Sequence, residues 1–104
     1  MTNSERLSGK LLGLVPDVDG LLVDQGLTPD DAYSGNIGNS KQFQLAFAWG
    51  LVAIIMSPNL SEGDWSRSWG DRDALSKIIS SIFNRFAPDE NPLNPQIIDI
   101  SNRW

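Results

Sequence analysis

Apolar residues recur at helical spacing in four stretches of the chain and lapse between them. Leu7, Leu11, Leu12 and Val15 share one helical face, which predicts a helix over Ser4–Val15, with Ser4 as N-cap and Pro16 as stop. Val18, Leu21, Leu22 and Leu27 predict a second, shorter helix over Asp17–Leu27, with Gly26 as its C-cap. Gly9, Gly13 and Gly20 each weaken these two helices by up to about 1 kcal/mol relative to alanine, so packing must hold them. Thr28–Ser34 reads as one helical turn, with a proline and two aspartates at its positive end. Gly35–Ser40 reads as a loop.

The next helix, Lys41–Met56, is apolar on nearly all sides, the mark of a central helix wrapped by others. Pro58 ends it. From Asn59 to Gly70 the chain turns polar, and Trp65, Arg67 and Trp69 alternate with Ser66 and Ser68. Period-two alternation predicts a short strand, paired through a turn at Glu62–Asp64, although a helical turn would also bring the two tryptophans together. Leu75, Ile78, Ile79, Ile82, Phe83 and Phe86 then form an amphipathic stripe, capped by Asp71 or Asp73 and ended by Pro88. The expected architecture is mainly α: a four- to five-helix bundle around the apolar central helix, with a short β-hairpin or extended segment before the last helix. Residues 1–87 form the domain and 88–104 a proline-rich arm. Ile97, Ile98, Ile100 and Trp104 make that arm too apolar for a plain solvated tail, so it should dock on its own domain or on a neighbouring copy.

Composition narrows the function. A chain of 104 residues with 40% hydrophobic and 20% charged positions is a single ordinary globular domain. Its net charge of -5, from 13 acids against 8 bases, argues against binding nucleic acid through phosphates or docking on anionic membranes. There is no cysteine and no histidine. Disulfides, thiolate nucleophiles, the commonest zinc ligand and the commonest general base are therefore all missing. Phe43–Met56 falls short of the roughly 20 apolar residues that span a bilayer, and the N-terminal stretch lacks the apolar core of a signal peptide. The expected location is the cytoplasm of a bacterial host or a virion.

Each candidate for chemistry meets a simpler explanation. Asp17-Val18-Asp19-Gly20 opens like a calcium loop, but the twelfth position, which needs a bidentate Glu, is Thr28. Asp64, Asp71 and Asp73 are better explained as helix caps and solvated charges than as cation ligands. Gly35–Lys41 lacks the Gly-Lys-Ser/Thr order of a phosphate loop. Serine hydrolysis has no histidine to take the proton, and a domain of this size leaves little room for a cleft with two tuned carboxylates. No catalytic, cofactor or metal site is expected, and no small-molecule substrate. Trp65 and Trp69 are either caps on a small core or, with Arg67 stacked between them, interface anchors.

The layout has a family resemblance. Two short helices, a very apolar central helix, the segment Ser61-Glu62-Gly63-Asp64-Trp65-Ser66-Arg67-Ser68-Trp69 and a last helix ending in Ile82, Phe83 and Phe86 resemble the small head-tail connector (neck adaptor) proteins of tailed bacteriophages and prophages. The likeness covers roughly residues 4 to 87. It departs from the family where Ala87-Pro88-Asp89 stands in place of a tyrosine-glycine ending. The resemblance implies a helical structural protein that assembles as a ring with portal and neck proteins. Its expected interface residues are Trp65, Arg67, Trp69, Ile97, Ile98, Ile100 and Trp104. An acidic surface would suit a channel through which DNA slides without sticking. The rival reading is a small monomeric protein-binding or regulatory module.

Overall fold

The computed structural model describes residues 1–57, 60 and 62–92. Over these the chain is all-helical: α1 (Asn3–Lys10), α2 (Val18–Asp24), α3 (Gly35–Gly38), α4 (Lys41–Met56), α5 (Glu62–Trp69) and α6 (Arg72–Phe86), then a 3-10 turn at Pro88–Glu90. No strand occurs among the described residues, only an isolated bridge between Thr2 and Ala32. The mainly α expectation is met by a small bundle in which α4 packs chiefly on α6 and α2.

The caps explain where the helices begin. Thr2, not Ser4, starts α1: its hydroxyl accepts from the Glu5 N–H at 3.1 Å, and the Glu5 carboxylate accepts from the Thr2 N–H at 2.9 Å. This capping box holds the Glu5 carboxyl below its ordinary value, chiefly through the bond from the Thr2 backbone. Helix α1 also ends early. Leu12 and Gly13 both take positive φ, 59° and 68°, while Leu12 N–H donates to Gly9 O and Gly13 N–H to Ser8 O. That is a Schellman stop with leucine at the left-handed position, so the chain turns well before Pro16.

Helix α2 is capped by Asp17, which accepts from Gly20 N–H at 3.0 Å. Gly26, at φ +82°, and the Leu27 N–H bond to Leu22 O close its far end. Asp17 and Asp19 are thus a cap and the acceptor for the Ser4 hydroxyl.

Residues 28–34 form no helix, only a single turn in which Asp31 N–H donates to Thr28 O at 3.2 Å. The first N–H groups of α1 have no partner within their own helix, and this segment supplies the acceptors: Asn3 N–H donates to Asp31 O at 2.9 Å and Ser4 N–H to Pro29 O at 3.0 Å. Asn3, buried at 1% exposure, also donates from Nδ2 to Thr28 O. By contrast Gly35–Gly38, expected as loop, is one helical turn, because the Ser34 hydroxyl accepts from Ile37 N–H and caps it.

Helix α4 matches its expected bounds. Ser40 caps it, and Phe43, Leu45, Ala46, Ala48, Gly50, Leu51, Val52, Ile54 and Ile55 are buried. They meet Leu7, Leu11, Leu22, Leu75, Ile79 and Phe83 from the surrounding helices. A Cβ on Gly50 would lie 2.9 Å from Leu11 Cδ2, so glycine here sets the close approach of α1 to α4. The wrapping is incomplete, however. Trp49 is half-buried, and Ala53 and Met56 on the same stripe are exposed.

The hairpin expected before the last helix is instead helix α5. A lone pair of five-residue strands would be marginal, and its serine face would have nothing to cover. A helix places positions 65 and 69 on one side, facing the core. Gly70, at φ +83°, ends α5, and Asp71, not Asp73, caps α6 through Ala74 N–H at 2.8 Å. Beyond α6 the start of the proline-rich segment folds back: Asn91 is 2% exposed and its Nδ2 donates to Asn84 Oδ1 at 3.3 Å.

Candidate interaction site

The segment expected to carry an interface divides between core and surface. Trp65 is only 2% exposed and belongs to the hydrophobic core. As a contact residue it is corrected: α5 turns it inward against its own bundle. Trp69, one turn on, is half-buried and packs on the edge of that core. Arg67 points from the other side of α5 into solvent and stacks on neither tryptophan. What reaches the surface of α5 is therefore the Arg67 guanidinium and one edge of Trp69. Ile97, Ile98, Ile100 and Trp104 lie outside the described residues.

A second feature escapes the sequence. Leu21, Asp24 and Gln25 at the end of α2 and Trp49 on α4 line a half-open concavity of about 350 Å³. The Phe83 ring stands edge-on to the Trp49 indole, with centroids 5.0 Å apart and planes at 81°, and so fixes the floor of the concavity. Along the Trp49 stripe the exposed apolar group is Met56, at 57%, while Val23, 61% exposed, lies on the other face of α2. Trp49 sits within an unbroken apolar run and so reads as core. Only the position of α2 leaves it lining an opening.

The titratable groups set little chemistry. Among the described residues no three acidic side chains gather to hold a metal ion, and no helix is long and apolar enough to cross a membrane. The three cation–ring contacts among the described residues are Arg6 over Tyr33 at 5.7 Å, Lys10 over Phe47 at 5.2 Å and Arg85 over Phe86 at 5.0 Å.

Fold and surface together define a small all-α domain whose core is closed on the α1 and α6 sides and open at the end of α2. The chain belongs to the family of unknown function DUF6706, whose model matches residues 1–104. No curated protein and no solved structure matches the chain significantly.

Proposed function

We propose that the chain is a structural adaptor of a phage or prophage virion neck, self-assembling as a ring between portal and tail components. The observation that carries this reading is the edge of α5. The segment that bears the likeness to connectors exposes the Arg67 guanidinium on one side of α5 and an edge of the half-buried Trp69 indole on another. Arginine and tryptophan are the residue types most enriched where interfaces concentrate their binding energy. Trp65 anchors α5 from behind, so that edge is held on a rigid element. Self-association through this edge and residues 88–104 requires no catalytic step, and the net charge of -5 suits a surface past which DNA must slide.

Sedimentation velocity of the full chain over a concentration series tests the reading. Mass should rise with concentration, and Arg67→Glu and Trp69→Ser should each suppress the rise. A strict monomer up to high micromolar concentration would overturn it. The concavity at Trp49, about 350 Å³ and large enough for a side chain, favours a second reading: a monomeric module that grips a peptide of another protein. Symmetric burial of the α5 edge between copies in a crystal would decide for the ring.

A further inference from the structure

We propose that the concavity between α2 and α4 binds an arginine side chain presented by an apolar peptide segment of a second protein. This stands apart from the reading of α5, since none of its lining residues comes from α5.

Size comes first. About 350 Å³ lies at the low end of ligand sites and takes one long side chain with room to spare. The chemistry of the lining comes second. The floor is an indole, the wall is Leu21, and the polar groups are the Asp24 carboxylate and the Gln25 amide, both on the last turn of α2 or its cap. An aromatic face beside a carboxylate is the arrangement that recognises an organic cation.

The charges around the site favour the same ligand. No basic residue occupies the last turn of α2, and no cation or hydrogen-bond donor among the described residues meets the Asp24 carboxylate. Tryptophan is the strongest of the aromatic rings toward cations. Yet Arg6, Lys10 and Arg85 cover a tyrosine and two phenylalanines, and none of them covers Trp49. A ring of the type best suited to a cation thus lines the opening, held by Phe83, with a carboxylate beside it that none of the described residues pairs.

Arginine fits better than lysine. A planar guanidinium can stack on the indole while its fork donates to Asp24 and to the Gln25 carbonyl, which a compact ammonium cannot do. The flanking surface then selects what presents the arginine. Ala53 and Met56 are exposed farther along the Trp49 stripe, so apolar neighbours of the arginine gain contact there.

The test titrates the isotope-labelled full chain with the peptide acetyl-Ile-Arg-Ile-amide and follows the Trp49 indole N–H by NMR, assigned with Trp49→Phe. A saturable shift is expected. The same peptide with citrulline, which keeps the shape and loses the charge, should bind more weakly. Asp24→Asn, at an exposed position, should weaken binding of the arginine peptide roughly two- to fivefold, in line with an exposed ion pair. Equal binding of the citrulline peptide, or no shift at about 10 mM peptide, would overturn the proposal. The chain's own Arg103, followed by Trp104, is the competing source of the same chemistry. If Arg103→Gln moves the Trp49 resonance in the absence of any peptide, the commitment to a second protein fails.

Discussion

Truncating Trp65 to alanine distinguishes a core residue from a contact residue. The side chain is 2% exposed, so folding removes nearly all of it from water. A buried tryptophan accounts for about 150–250 Å² of surface. At about 25 cal/mol per Å² that is about 4–6 kcal/mol, an upper bound because the unfolded chain already shields some of it. Truncations of large aromatic residues in cores cost about 3–5 kcal/mol, which is the expected range for Trp65→Ala. Against a total stability of about 5–15 kcal/mol, such a loss leaves a folded but marginal domain. Trp69 is half-buried, and its alanine variant should lose about half as much. Arg67 is exposed, and Arg67→Ala should stay within about 0.5 kcal/mol of the parent. Urea unfolding followed by far-ultraviolet circular dichroism measures all three without relying on tryptophan emission. The order Trp65, then Trp69, then Arg67 is the prediction for stability. Equal losses below about 1 kcal/mol for Trp65→Ala and Arg67→Ala would refute the placement of Trp65 in the core.

Three further outcomes follow from the packing and the caps. Gly50→Ala gains about 1 kcal/mol of helix propensity but drives a methyl into the fully buried Leu11, at a cost of about 1–3 kcal/mol, so it should destabilise the parent. The same change in a Leu11→Ala background should stabilise, and a rise in melting temperature for Gly50→Ala alone would contradict the close approach of α1 and α4. Asn3→Ala removes the Nδ2 donor to the Thr28 carbonyl, which still accepts from Asp31 N–H, and also removes a buried Oδ1 without a partner, so it should cost about 0.5–1.5 kcal/mol in urea unfolding. An unchanged midpoint would show that water replaces that bond. The folded-state pKa of Glu5 is depressed, so its contribution is present above the unfolded pKa and is lost as pH falls through the folded value. The stability gap between the parent and Glu5→Gln should therefore close on acidification below the ordinary carboxylate value of 4.5, and a gap that is constant with pH would exclude the capping box as its source.

The helices with the strongest periodicity were legible from the chain alone. Lys41–Met56 and the stripe from Leu75 to Phe86 have their observed bounds because serine or aspartate caps precede them and few competing signals interrupt them. The weaker elements were decided by partners distant in sequence. Residues 28–34 keep one turn but go no further as helix, since their carbonyls accept from the first N–H groups of α1, which no local pattern announces. Alternation in Trp65-Ser66-Arg67-Ser68-Trp69 fits a strand as well as a helix, and only the presence of a core to receive both indoles selected the helix.

The candidate sites divide in the same way. The sequence by itself determined the helical class, the incompatibility with disulfide, thiolate or histidine chemistry, and the acidic charge, because these follow from residue identity and local spacing. The tertiary structure decided which aromatic is structural and which is available. Trp65, in a polar segment, is sealed, and Trp49, in an apolar run, opens onto a concavity beside Asp24. Exposure depends on which helices come to lie over a residue. That is settled by the summed packing of residues far apart in the chain, and it leaves no mark on the residue's own neighbours in sequence.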